Sequence, residues 1–390
     1  LPVAGAQRGS QALPVPLERT LPAIPVTDPA AIVRQFALPG EIRSVAEYGS
    51  GNVNDTYLVR VADGQTTLDF ILQRLNPAVF PKPEHIMHNL RVLDDHVRPK
   101  LRTQPNRRWE LPNIVPCRNG ADYCRDQTGA LWRVQTFIAG CKSFATIKSE
   151  SQAEESGRGL GFFHGLIHDL PVHLLHDTLP GFHVTPGYLA AYEALAASPP
   201  RPDHSEQAIF CRRFIGERQD GAEVLEAARL RGELALCPIH GDPKLANILF
   251  ARDTGQAISL IDLDTVKPGL LHYDIGDCLR SCCNPAGEEA DLAGITFNLA
   301  YCAAILRGYL PEVASFFSVA DYHSIYDAVR LIAFELGLRF FSDHLAGDVY
   351  FKVRTPGQNL RRAMIQFTLC QSIEAQERAI KKIVGELQPT

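Results

Sequence analysis

Asp242, Asn247 and Asp262 are the residues of this chain whose types and spacing suit joint chemistry. The segment 239–265 reads I-H-G-D-P-K-L-A-N-I-L-F, a turn, then I-S-L-I-D-L-D-T. A polar loop carries a carboxylate and, five residues on, an amide oxygen. An apolar strand (248–250), a polar turn with glycine (252–256) and a second apolar strand (258–261) follow, ending at Asp262. Such a hairpin aims all three side chains at one point. The set suits phosphoryl transfer, in which one carboxylate orients a hydroxyl and accepts its proton while an Asn/Asp pair holds magnesium. Magnesium is hard, prefers oxygen ligands, and usually completes its shell with water and substrate phosphates. A lone H-G-D would read as a helix cap beside polar hairpin ends; the full set with the hairpin between reads as a site.

Neighbouring residues extend the set. Lys244 either neutralises charge on a transferred group or is plain surface lysine. His240 braces the loop backbone. Asp264 shares a face with Asp262 if the strand persists, and would then hold a second metal, a substrate hydroxyl or loop amides. Asp274 and Asp277, in H-Y-D-I-G-D, brace the loop after the metal site. Upstream, 48–57 reads Y-G-S-G-N-V-N-D-T-Y. Gly49 and Gly51 let backbone amides approach phosphates, and Ser50, Asn52, Asn54 and Thr56 surround them as further donors. The alternative there is a simple hairpin turn.

The elements that must position these residues fall into two parts. Residues 1–30 are rich in Pro, Ala and small polar types and read as a flexible tail. Asp28 caps a short helix at 29–36. Strands are expected at 42–48, 54–61, 67–73, 117–122 and 131–137, with one long helix at 84–97, where Ile86, Leu90, Leu93 and Val97 recur at helical spacing. Beyond a connecting segment at 138–140 the pattern is helical: 149–168, 188–197, 205–229, 290–310, 318–346 and 360–384. The strand signal returns only around Ile248 and Leu260. The expected organisation is therefore a β-rich small lobe at 31–138 and a mostly helical large lobe at 139–390, an α+β chain.

Composition excludes several classes. A net charge of −5 argues against nucleic acid, and no apolar run reaches membrane-spanning length. The first ten residues lack the charged-then-apolar pattern of a secretory leader. Ten cysteines without a C-x-x-C pair fit a reducing, cytoplasmic setting, with Cys278, Cys282 and Cys283 as small buried residues of a helix. His164 and His168 are four apart on a predicted helix, but no carboxylate occupies the H-E-x-x-H position, so ordinary helix-face histidines are expected.

H-G-D-x-x-x-x-N followed by I-D-x-D resembles the aminoglycoside phosphotransferase/choline kinase superfamily, and the resemblance implies a protein-kinase-like two-lobed fold. Five further segments are similar to its N-acetylhexosamine 1-kinase branch: G-S-G-N-V-N-D-T-Y-L (49–58), I-L-Q-R-L-N-P-A-V-F (71–80), L-P-G-F-H-V-T (179–185), I-D-L-D-T-V-K-P-G (261–269) and L-R-F-F-S-D-H-L-A-G-D-V-Y-F (338–351). The resemblance spans about 40–375. It implies ATP in the cleft with Mg2+ on Asn247 and Asp262, and Asp242 as the catalytic carboxylate. The adenine would lie at the hinge near 136–139, with Gln135, Phe137 and Ile138. The acceptor would be a small sugar bound by Asp242, Lys244, Asp264, Arg339 and Tyr350, phosphorylated at its anomeric hydroxyl. The 338–351 block supplies a planar donor, carboxylates and an aromatic face; Asp343 and Asp348 are its carboxylates.

The third strand departs from the kinase pattern. It reads F-I-L-Q-R-L and contains no lysine. Gln73 stands at the register expected for the cation and Arg74 on the opposite face. Glu84 is the candidate helix partner, or else a carboxylate favoured by the helix N-terminus. Rival readings are a kinase of an aminoglycoside, choline or another sugar, and a catalytically inactive nucleotide-binding pseudokinase. The chain is expected to act as a monomer or weak dimer.

Overall fold

A computed structural model describes residues 27–49, 53–103 and 107–389 of the 390-residue chain. A short helix α1 (Pro29–Val33), N-capped by Asp28, leads into β1 (Glu41–Glu47), β2 (Asp55–Asp63) and β3 (Thr66–Arg74), then the long helix α2 (Pro83–Arg102). Short strands β4 (Ile114–Val115) and β5 (Cys124–Arg125) precede β6 (Leu131–Thr136). These strands form one antiparallel sheet in the order β1-β2-β3-β6-β4, with β5 on the same β6. Segment 117–122 is not the strand expected: Cys117 makes an isolated bridge to Phe36, and Asn119–Ala121 closes a turn through the Asn119 side chain. Hydrogen-bonding turn residues outcompete the ladder there.

Alternation gives the sheet two faces. Val59 and Val61, Phe70 and Leu72, and Trp132 and Val134 pack with Ile32, Val33 and Phe36 in a core of their own. The opposite face therefore carries Thr56, Gln73, Arg133 and Gln135 toward the rest of the chain.

The backbone leaves the sheet through 137–140 into β7 (Cys141–Lys142), which pairs with β9 (Ile248–Ala251) of the second half. Helices α3 (Glu150–Ile167), α4 (Thr185–Ala196), α5 (Glu206–Gly216) and α6 (Val224–Leu230) come next; the single helix expected at 205–229 is broken at Gln219–Gly221. The catalytic-type segment follows: β8 (Cys237–Ile239), β9, β10 (Ala257–Leu260) and β11 (Lys267–Gly269), in which β9 pairs β10 and β8 pairs β11. Then come α7 (Leu271–Cys282), α8 (Leu299–Val313), α9 (Val319–His323), α10 (Ile325–Ala346), α11 (Gln358–Glu374) and α12 (Glu377–Leu387).

The helical half is a single core around α3, α7, α8 and α10. Helices α3 and α8 meet backbone to backbone: a Cβ on Gly157 would lie 2.0 Å from the Ile305 carbonyl oxygen, and one on Gly308 2.0 Å from that of Glu154. Cys278 and Cys282 are buried in α7 and Cys283 at its end, as expected. No helix among the described residues is long and apolar enough to cross a membrane. The antiparallel sheet followed by a mostly helical half is the two-lobed architecture the sequence implied.

Candidate functional site

The H-G-D loop is built from below by α7. Asp274 accepts hydrogen bonds from the backbone N–H of His240 (2.6 Å) and Gly241 (2.8 Å), and pairs with His164 Nε2 (2.9 Å). Burial alone would raise the Asp274 pKa, but His164 and the loop amides outweigh it and hold the carboxyl below its ordinary value. The Asp274 brace is thus for the H-G-D loop and not for the loop after Asp262, and Asp277 pairs with Arg280 instead. Gly241 has φ +86°, and a Cβ there would lie 2.6 Å from the Thr265 carbonyl oxygen, so only glycine fits. His240 spans the site: Nε2 reaches the Ile261 carbonyl (3.0 Å) and Nδ1 accepts the Asp242 N–H (3.2 Å). Burial keeps its pKa low, which suits the neutral ring those two bonds require.

Asp242, Asn247 and Asp262 converge. Asn247 Nδ2 donates to the Asp242 carbonyl (2.8 Å) and contacts its Oδ2 (3.3 Å), leaving the Asn247 side-chain oxygen turned away from both. The Asn247 carbonyl accepts from Ile261 N–H (2.9 Å), fixing the residue before Asp262. Lys244 Nζ bridges to Asp242 Oδ2. Burial opposes the Lys244 charge, but Asp242 and Asp262 outweigh it and push its pKa up. Asp262 sits at φ +66° just beyond β10, in a left-handed turn. Burial first, then the Asp264 and Asp242 charges, push its pKa up to about 6. Asp262 is exposed and Asp242 half-buried, and these carboxylates with the Asn247 oxygen form an oxygen-donor set that fits a magnesium ion.

Asp264 differs from expectation. Strand β10 ends at Leu260 and 263–265 forms a 3-10 turn, so Asp264 does not continue a strand face with Asp262. Its side chain is 2% exposed; it accepts from Asn54 Nδ2 (2.7 Å) and lies 2.5 Å from Arg133 Nη2. It is therefore not a free ligand for a substrate hydroxyl: it ties the sheet to the catalytic segment. Arg133 is the residue sequence reasoning missed. Its place opposite Gln73 on β6 depends on a strand register invisible from local pattern.

Of the nucleotide-side residues, Ser50, Gly51 and Asn52 lie outside the described residues. Gly49 has φ +77°, and among the described residues nothing lies within 4 Å of where its Cβ would be. Asn54 spends its side chain on Asp264 and on Asn76 N–H (3.0 Å). Thr56 accepts from Gln73 Nε2 (3.2 Å), and Gln73 Oε1 accepts from Arg133. Arg74 faces the other way, 3.4 Å from Asp55 and 3.9 Å from Asp126. Glu84 is not the partner of a third-strand cation: exposed at the start of α2, it ion-pairs with Arg125. Gln135 is buried on the Arg133 face. Phe137 meets Tyr48 edge-on at 6.1 Å, bringing the glycine-loop root to the connecting segment. Ile138 packs with Ala251 and Ile258, and half-buried Leu249 and Ile261 join them to make an apolar floor. Leu249 and Ile261 are readable as the off-phase residues of the hairpin.

Beyond Asp242 lies a second wall. Arg339 stacks over Phe182 (4.9 Å), Tyr188 (5.0 Å) and Phe351 (5.6 Å), with Glu335 Oε1 at 3.9 Å. Glu335 also pairs with His183 Nδ1 (3.0 Å), and His183 Nε2 reaches the Gly241 carbonyl (2.8 Å), so this wall is tied to the H-G-D loop. Tyr350 is half exposed against Phe351. Asp343 does not face a ligand: its oxygens accept the Val349, Tyr350 and Phe351 N–H groups at 2.8–2.9 Å, capping the turn after α10. Asp348 pairs with Arg201 and Asn359. His164 is consumed by Asp274 and Tyr309, and His168 stacks on Phe316, so neither is a zinc ligand.

A sheet face and a helical half flank the segment that carries Asp242, Asn247 and Asp262. Residues 44–311 match the model of the Phosphotransferase enzyme family, and the chain belongs to that family. Solved structures share the fold. An aminoglycoside phosphotransferase from Alicyclobacillus acidocaldarius subsp. acidocaldarius DSM 446 superposes with a TM-score of 0.60 at 15% identity, over 94% of this chain and 98% of its own. A microcompartment-associated aminopropanol kinase gives 0.54 at 17% identity, over 90% and 96%. A choline kinase from Cryptosporidium parvum Iowa II gives 0.51 at 14%, over 86% and 91%.

Proposed function

We propose that the protein transfers the terminal phosphoryl group of ATP to a hydroxyl of a small sugar, the anomeric hydroxyl of an N-acetylhexosamine. The observation that carries this reading is the Asp242 carboxylate. Asn247 and Lys244 hold it, and His183 and Glu335 tie its loop to the wall with Arg339. In this reading Asp242 orients the acceptor hydroxyl and takes its proton, while Lys244 offsets charge on the transferred group. The apolar floor of Leu249, Ile261 and Ile138 takes the adenine beside Gln135 and Phe137, and Gly49 opens the loop over the phosphates. Asn247 and Asp262 would hold magnesium, which when bound draws off negative charge from the phosphate oxygens.

Choline or another cationic acceptor would want an aromatic cage. The three rings that could form one are already filled by Arg339, which supports a neutral, hydroxyl-rich acceptor instead. The test is an acceptor screen with ATP and magnesium, read by product mass, covering N-acetylglucosamine, N-acetylgalactosamine, other sugars, aminoglycosides and amino alcohols. Turnover with an N-acetylhexosamine is expected. Turnover confined to amino alcohols or aminoglycosides overturns the acceptor assignment. Nucleotide binding with no turnover on any acceptor supports an inactive scaffold.

A further inference from the structure

We infer that Arg133, on β6, supplies the cation that grips the nucleotide's phosphate chain, in place of a lysine on β3. This rests on the reading of the cleft as a nucleoside triphosphate site.

The geometry builds the guanidinium into place from two sides. Gln73 stands opposite Arg133 in the β3–β6 register, so both side chains leave the sheet on one face. Thr56 accepts from Gln73 Nε2, which turns the Gln73 oxygen to Arg133; that oxygen then accepts from Nε (3.1 Å) and Nη2 (2.7 Å). Nη2 also touches Asp264 Oδ1 at 2.5 Å, a charge contact outside hydrogen-bond angles. The remaining nitrogen, Nη1, is buried and has no partner among the described residues, on a side chain only 1% exposed.

A guanidinium so firmly held, with one arm unmet, is a charged donor lacking its acceptor. Its Asp264 contact lies two residues from Asp262, and its sheet face, shared with Gln73, is the one turned away from the sheet's own core toward the helical half. The chemistry that satisfies such an arm there is an anionic oxygen of the phosphate class. Of the neighbouring cations, Arg74 faces the other way toward Asp55 and Asp126, and Lys244 stands on the H-G-D loop beside Asp242, at the transferred group rather than along the phosphate chain. The same arginine also answers the missing third-strand lysine. The cation has moved one strand over, and its carboxylate partner has moved from the helix to Asp264.

The experiment compares Kd for ATP and for adenosine, by calorimetry, in the wild type, Arg133→Gln and Arg133→Lys. Arg133→Gln keeps hydrogen-bonding groups beside Gln73 but removes the charge. The expected result is a loss of about tenfold or more in ATP affinity with adenosine affinity unchanged, as the loss of a charge-assisted hydrogen bond implies. If Arg133→Gln fails to fold, Arg133→Lys keeps the charge but loses the planar fork, and about a threefold or greater loss for ATP alone is expected. Equal losses for ATP and adenosine, or no loss for ATP, overturn the inference and assign Arg133 a purely structural role. A wild type that binds neither ligand overturns the nucleotide reading itself, and the inference falls with it.

Discussion

Replacing Asp274 by Asn tests whether the H-G-D loop is held from α7. The carboxylate accepts two backbone N–H groups and pairs with His164, all fully buried. Asparagine has one acceptor oxygen, so its NH2 must face at least one of those donors. The cost is one hydrogen bond to a charged group plus a stranded buried N–H, together about 3–5 kcal/mol. The folded-state pKa of Asp274 lies below its unfolded value. Its stabilisation is therefore fully present above the ordinary carboxylate value, near pH ~4, and is lost as pH falls through the lower folded value. Urea unfolding at pH 7 should show the variant about 3–5 kcal/mol less stable, with the gap closing on acidification below pH ~4. Turnover should fall by about 100-fold, because the loop that aims Asp242 shifts. A gap under about 1 kcal/mol at pH 7, or one that widens in acid, would refute the brace.

Four residues elsewhere give independent checks. Gly157→Ala should cost about 3 kcal/mol in urea unfolding, because its Cβ would lie 2.0 Å from the Ile305 carbonyl oxygen. Gly165→Ala, on the same helix with its nearest neighbour at 3.8 Å, should be neutral or gain up to about 1 kcal/mol. Asp203 is held down to about 2, first by the Ser205 backbone N–H and also by His344. Asp203→Asn should therefore cost about 1–2 kcal/mol at neutral pH after solvent screening, and nothing once pH falls below ~2, as read from thermal melts across pH. Arg339→Ala should raise KM for the sugar acceptor about tenfold or more while leaving the ATP Kd unchanged; a changed ATP Kd with unchanged acceptor KM would place Arg339 on the wrong side of the cleft.

Periodicity exposed the first three strands, α2, α3 and the catalytic hairpin, because each has a clean two- or 3.6-residue pattern. It missed β8 and β11, three-residue strands whose pairing is purely tertiary. It merged α5 with α6 and α11 with α12, where polar residues at Gln219 and Gln376 allow a break without disturbing the apolar phase. At the site, Asp242, Asn247 and Asp262 were legible from type and spacing. The true partner of Asp264 was not, since Arg133 lies more than a hundred residues away and its approach depends on sheet register. Glu84 misled for a similar reason: a carboxylate at a helix start satisfies local rules whichever way it points, and here it points to Arg125.

The proposed activity stands or falls with Asp242 acting on the acceptor hydroxyl where the two halves meet. Single-turnover phosphoryl transfer by Asp242→Asn, with ATP affinity measured on the same sample, probes that step by itself. The rate should drop by about a thousandfold or more, with ATP affinity kept within a few-fold. A variant that transfers phosphoryl as fast as the wild type would remove Asp242 from the chemistry.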